Sequence, residues 1–176
     1  MYVGGVEGFI SCLYFKIPPY IYGKEIENAR IILYKYPVPV YEMYHSKCGA
    51  AYKCGVPIDD VHDDCCPASL SVCPLLEFFS KYSPCYSIPL SDSGKTVTCQ
   101  IDERLCYTEI DISQIAKQWI QNTIDNRGLL VTGCCTGRIV SYASEKEPDW
   151  GLRPVMRLTY RDLSELSSVP CIVKVS

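Results

Sequence analysis

The 176 residues contain no Cys-x-x-Cys pair, no Gly-x-Ser-x-Gly, no His-Glu-x-x-His and only two histidines, His45 and His62. The first absence removes the knuckle spacing of structural zinc sites. The next two remove the nucleophile elbow and the zincin helix. Ser93-Gly94-Lys95-Thr96 ends like a phosphate-binding loop, but Pro89 stands where the first glycine of that loop belongs, so the cradle of N–H groups fails. His62 lies in the acidic stretch Ile58-Asp59-Asp60-Val61-His62-Asp63-Asp64 and offers one or two ligands; an exposed acidic turn is the simpler reading, and the EF-hand spacing with its glycine is missing. A Cys–His nucleophile using either histidine would leave one reactive thiol to exchange with eleven others. The expectation is no enzyme, no metal and no cofactor.

Positive charge is also scarce. A net charge of −3 and a pI near 5.4 argue against a sequence-independent grip on nucleic acid, which needs a basic face. No uninterrupted apolar run approaches the roughly 20 residues of a spanning helix, so no membrane insertion is expected. The opening Met1-Tyr2-Val3-Gly4-Gly5-Val6-Glu7 carries an acid where a signal peptide has its basic region.

Cysteine, by contrast, is abundant. Twelve occur: Cys12, Cys48, Cys54, Cys65, Cys66, Cys73, Cys85, Cys99, Cys106, Cys134, Cys135 and Cys171. An even number in a turn-rich chain with 12 prolines and 14 tyrosines points to disulfides, and disulfides persist in oxidising surroundings. Vicinal cysteines rarely bond each other, so Cys65-Cys66 and Cys134-Cys135 are each expected to reach two partners, within or between subunits. Oxidised cysteines without an evident signal peptide suggest an extracellular or spore-surface protein, made inside a cell and released by its lysis.

Strand-like segments dominate the pattern. Phe9 to Lys16 and Ile26 to Tyr36 read as strands, each ended by proline, with Met1 to Gly8 an arm before them. Thr96 to Ile101 and Leu105 to Ile110 read as a hairpin. After Asp111, apolar residues at Ile112, Ile115, Ala116, Trp119 and Ile120 mark one face of a helix from Ile112 to Gln121, capped by Asp111 or Ser113. That helix is expected to stop near Asn126-Arg127-Gly128, where a left-handed residue is available. Leu129 to Thr132 is a buried strand. Arg138 to Ala143 alternates, with Arg138, Val140 and Tyr142 outward, and Val155 to Tyr160 alternates as well. The span 37–93 carries seven prolines and six cysteines; it reads as an irregular insertion in which Leu75 to Phe79 forms an apolar turn docked on the body.

Four segments carry a family resemblance: Ser11 to Pro18, Ile26 to Tyr34, Ile112 to Leu130, and Tyr142 to Tyr160 with its Arg153-Pro154-Val155-Met156-Arg157-Leu158-Thr159-Tyr160. Their order and spacing resemble the DNRLRE domain family, jelly-roll β-sandwiches of bacterial and archaeal surface proteins akin to some carbohydrate-binding modules. The namesake hexapeptide is not present intact. The resemblance implies an all-β jelly-roll sandwich over residues 1–160, with one short helix and the cysteine-rich insertion; residues 161–176 extend beyond it. In that family a further strand normally precedes the one at Phe9, and this chain has few residues to encode it.

Two functions follow from these features. The first is a structural, self-assembling fibre or coat subunit whose partner is itself, with other coat proteins or glycan as further partners. The terminal segment is central to it, with Ile172, Val173 and Val175 as subunit-contact candidates. Pairing of that segment within its own sheet is the simpler reading; completing a neighbouring copy by strand addition is the sharper one. The second is a non-catalytic carbohydrate-binding or cell-wall-adhesion module, with Trp150, Tyr41 and Tyr44 as sugar-stacking candidates.

Overall fold

A computed structural model describes residues 1–4, 10–35, 52–53, 56–57, 69–79, 88–102, 104–133, 139–162 and 167–174. The strands in chain order are β1 (Tyr2–Gly4), β2 (Ile10–Leu13), β3 (Glu25–Tyr34), β4 (Tyr52–Lys53), β5 (Val56–Pro57), β6 (Ser69–Pro74), β7 (Val97–Gln100) and β8 (Tyr107–Asp111). Helix α1 (Ser113–Ile120) follows, then β9 (Leu129–Gly133), β10 (Ile139–Ser141), β11 (Val155–Asp162) and β12 (Ser167–Lys174). They build an all-β sandwich. The front sheet has the order β12-β11-β3-β8 and the back sheet β2-β9-β6-β7; every pairing is antiparallel.

Period-2 alternation explains the front sheet. In β11, Met156, Leu158 and Tyr160 point into the core while Arg157 and Arg161 face out. The partners of the inward trio on β3 are Ile31, Ala29 and Ile26, with a register shift between Thr159 and Tyr160. From the back sheet, Leu13, Leu70, Val72, Leu129 and Val131 meet them in one continuous core.

Helix α1 closes one end of that core. Ile115, Ala116, Trp119 and Ile120 are buried, and Ile112 just before the helix is fully so. Asp111 accepts from the Ser113 amide at 2.9 Å, and the Ser113 hydroxyl accepts from the Ala29 amide at 2.9 Å, so the helix start is tied to β3. At the other end the Gly23 amide donates to the Ile120 carbonyl at 3.1 Å. The indole Nε1 of Trp119 is buried with no hydrogen-bond partner among the described residues, a cost that its large apolar burial offsets.

Several expectations are corrected. The helix ends at Ile120, not near Gly128, because Asn122 (φ 55°) supplies the left-handed residue earlier. The Thr123 amide then reaches the Gln118 carbonyl and the Asn122 amide the Trp119 carbonyl, a Schellman closure. Gly128 (φ 101°) serves another purpose: a Cβ there would lie 2.7 Å from the Leu13 carbonyl oxygen, so only glycine lets the chain enter β9 beside β2. The N-terminal residues are not merely an arm, since Tyr2–Gly4 pairs with Ile139–Ser141. β7 and β8 are not a hairpin; β7 pairs with β6 in the back sheet and β8 with β3 in the front. Within the supposed insertion, β6 lies between β9 and β7 and belongs to the sandwich.

Tyr142 is also reversed. It is 1% exposed rather than outward, because its hydroxyl finds the Thr108 hydroxyl at 2.9 Å inside the core. Burial pushes its phenol up to about 12. Val140, likewise expected outside, packs against the core. Arg138 lies outside the described residues.

The terminal segment pairs along its whole described length with β11 of the same chain, from Val155↔Lys174 to Asp162↔Ser167. Val173 is 4% exposed and joins the core of its own chain. Ile172 points the other way and is 63% exposed. Val175 lies outside the described residues.

Candidate binding face

The loop entering β11 and the last residue of β12 build the most distinctive surface among the described residues. Asp149 begins the loop: its carboxylate accepts from the Gly151 amide at 2.9 Å, and its carbonyl accepts from the Leu152 amide at 3.1 Å. This double cap holds Trp150–Leu152 as one 3-10 turn and presents the Trp150 indole, 63% exposed. The Arg153 guanidinium lies 4.0 Å from the ring centroid, fixed from behind by its Nε donating to the Glu147 carbonyl at 2.7 Å. The Lys174 ammonium stands 5.1 Å from the same centroid. Cation–π attraction accounts for both placements.

Below this cluster the outer face of the front sheet continues in register. Val155 opposes Lys174, and in the next row Ile172, Arg157 and Arg30 lie side by side on β12, β11 and β3. Two opposed arginines repel. Arg30 turns to Glu109 on β8, which raises its pKa through a hydrogen bond and charge, while Arg157 has no carboxylate partner among the described residues. Farther along, Arg161 is neutralised by Glu25 and Glu27, and Glu27 is held below its ordinary pKa by the Ser168 hydroxyl and by Arg161.

The back of the molecule differs. Cys12 and Cys73 both lie opposite Leu130, one on each side of it, so their thiols share the outer face of the back sheet. Two strand spacings separate them, about 10 Å, well beyond the roughly 7 Å limit for a disulfide. Burial, then the neighbouring Cys73, pushes the Cys12 thiol up to about 11. Cys99 faces the core from β7, where burial raises its pKa, and Cys171 faces it from β12, with its sulfur 3.6 Å from the Tyr20 hydroxyl. Cys106 is exposed in the bend before β8.

All five of these cysteines are free thiols, so the disulfides expected for them within the chain are not formed. Cys12 and Cys73 share one face but stand two strands apart, while Cys99 and Cys171 face the core from opposite sheets. Cys48, Cys54, Cys65, Cys66, Cys85, Cys134 and Cys135 lie outside the described residues, as do Tyr41, Tyr44, both histidines and the acidic stretch at 58–64. Among the described residues no group of three or more His, Cys, Asp or Glu gathers to hold a metal ion. No helix there is long and apolar enough to cross a membrane.

A second surface escaped the sequence reading. Leu75 is buried as expected, but the rest of its segment is not docked: Leu76, Phe78 and Phe79 are exposed, with Ile88 and Leu90 exposed nearby in the chain. Leu90 is joined to Leu76 by a backbone hydrogen bond of 2.9 Å. Beside Leu76 runs a shallow cleft of about 220 Å³ whose charges pair internally, Asp92 with Lys95 and Asp125 with Arg127. Lys95 is thereby committed to a carboxylate on the very turn whose sequence ends like a phosphate loop. The run Leu75 to Phe79 was the available signal; its apolarity was visible and its exposure was not.

Searches against family models, curated proteins and solved structures find no match to this chain.

Proposed function

We propose that the protein is a non-catalytic β-sandwich module that binds carbohydrate at a cell or spore surface. The observation that carries this reading is the Trp150 indole, 63% exposed on a doubly capped turn and backed by Arg153 at 4.0 Å. A large flat ring held rigid in water is a costly arrangement for a surface, and stacking against the apolar face of a sugar is what such a ring does well. The four segments that resemble the DNRLRE family support the same reading: they supply β2, β3, the α1–β9 unit and β11. A jelly-roll winding is its finer form, supported by the way consecutive strands alternate between sheets from β7 through β8 and β9 to β11. The test is a glycan array with native protein and Trp150→Ala. Retention that the substitution removes, at unchanged melting temperature, is expected; a native protein that retains no glycan overturns the reading.

A second reading, a self-assembling coat or fibre subunit, is favoured by the exposure of Leu76, Phe78, Phe79, Ile88 and Leu90, five large apolar side chains on two segments joined by the Leu76–Leu90 backbone bond. Exchange of the terminal strand is no longer needed for it, because β12 is already seated on β11. Sedimentation velocity over a wide concentration range decides: a Phe78→Ser variant should dissociate assemblies that the native chain forms, and a native chain monomeric throughout excludes this reading.

A further inference from the structure

We infer that the carbohydrate taken by this face is acidic, a polysaccharide bearing carboxylates or sulfates, and that Arg153, Lys174 and Arg157 read its charge while Trp150 stacks on its ring. The inference rests on the carbohydrate reading above and adds the ligand class.

Three observations carry it. First, none of Arg153, Lys174 and Arg157 has a carboxylate partner among the described residues, whereas Arg30, Arg127, Arg161 and Lys95 all do. Other cations on the surface, Arg104 and Lys146 among them, also lack a carboxylate partner among the described residues; what marks these three is their grouping, Arg153 and Lys174 at one indole and Arg157 diagonal to Lys174 on the same sheet face, in a chain of net charge −3. Second, the outward residues over this half of the sheet are Lys174, Val155, Ile172, Arg157, Pro170 and Thr159, without an acid among them. The surrounding carboxylates are already engaged: Glu25 and Glu27 on β3 by Arg161, Glu109 on β8 by Arg30, and Asp149 by the Gly151 amide. Third, Lys174 and Arg157 are diagonal neighbours across an antiparallel pair, about 7–8 Å apart at the backbone. That spacing lets both reach charges on adjacent units of one extended chain, while Ile172 between them gives a dry contact.

The chemistry is consistent with this division of labour. Guanidinium pairs with carboxylate or sulfate through two parallel hydrogen bonds, and lysine adds a point charge. Both cations already lie at the ring, so an acidic sugar stacked there meets its counter-charge without rearrangement. A single-stranded nucleic acid would use similar groups, stacking a base and pairing phosphates. It is disfavoured because single-strand binders stack successive bases on several aromatic rings, and the outward residues of β11 and β12 named above include none.

The test uses the full chain against polygalacturonate, heparin and hyaluronate, each paired with its neutral counterpart (methyl-esterified or desulfated), and against oligothymidylate, by calorimetry. At least one acidic polymer should bind, and its neutral counterpart should bind at least about tenfold more weakly, the loss of roughly 1.4 kcal/mol expected when charge-assisted hydrogen bonds go. Lys174→Gln combined with Arg157→Gln should cost a similar factor and flatten the salt dependence, with melting unchanged because both side chains are exposed. Equal, Trp150-dependent binding of acidic and neutral forms overturns the acidic assignment and leaves the carbohydrate reading intact. No binding to any polysaccharide removes both. Tighter binding of oligothymidylate than of every polysaccharide overturns the assignment in favour of nucleic acid.

Discussion

The outer faces of the two sheets are opposites. On the front, Arg157, Arg30 and Ile172 stand exposed to water in one row; on the back, Leu130 and Cys73 also point away from the central core yet are only 3% and 8% exposed. β11 is thus buried on one face and reads as alternation, although Ile32, outward on β3, is only 3% exposed, while β9 is buried on both and reads as the unbroken run Leu129-Leu130-Val131. The comparison teaches that the proposed recognition and the stability fall to different sheets. Ile172 and Arg157 on the front can change freely, and Leu130 on the back cannot.

The largest effect should come from the back. Leu130→Ala removes a side chain that is 3% exposed and should cost about 2–5 kcal/mol in urea unfolding, against about 0.5 kcal/mol or less for Ile172→Ala on the front. Equal losses would break the comparison outright. Next comes Gly128→Ala, where the added methyl meets the Leu13 carbonyl and φ is 101°; a loss of about 1–3 kcal/mol is expected, and a neutral result would mean that β2 and β9 can shift apart.

Tyr142→Phe should cost about 1 kcal/mol by leaving the Thr108 hydroxyl unpaired. Its pH signature is distinctive. The folded phenol titrates at about 12 against 10.0 when unfolded, so the folded state holds its proton more tightly. That stability is fully present below pH 10 and drains away as pH rises toward 12. In the Phe variant the alkaline decline should be shallower, and an unchanged profile would count against a buried Tyr142.

Alkylation followed by mass spectrometry sharpens the contrast without changing stability. Near neutral pH the exposed Cys106 should react first, with Cys12 slower because its thiolate forms only toward pH 11 and Cys73 slower still because it is buried. Cys73 labelled as fast as Cys106 would show the back face to be open. The smallest effect should be Glu109→Ala, which removes the exposed pair with Arg30 for about 0.2–1 kcal/mol; a loss as large as that of Leu130→Ala would contradict the assignment of stability to the back.

Much of this was legible in the residues, and what was not has physical causes. The helix face from Ile112 to Ile120 and the alternation of β11 declare their burial directly. β1 was hidden because three residues with a glycine carry too little pattern. β6 was hidden because prolines and cysteines around Ser69–Pro74 suggest turns, although its own residues are almost all buried. β7 and β8 are joined by a connection as short as a hairpin's, yet each has an apolar face to bury and they do so in different sheets. Tyr142 was misplaced because a phenol reads as polar until its partner, Thr108, is known. At the binding face Trp150 was identifiable from the sequence alone. Its company was not, since Lys174 comes to it only through the register of β11 with β12.

The segment through Tyr142 has one more consequence. Its amide and carbonyl bond with Met1, just ahead of β1, the strand that packs beside β2 and β9, and the next amide, at Ala143, bonds to Tyr34 of the front sheet. One piece of backbone therefore laces the front sheet to the strand that lies against the back one. Such a book cannot fall open along that margin unless the lace is first drawn out, so amide exchange at Tyr142 and Ala143 should proceed only when the entire fold lets go.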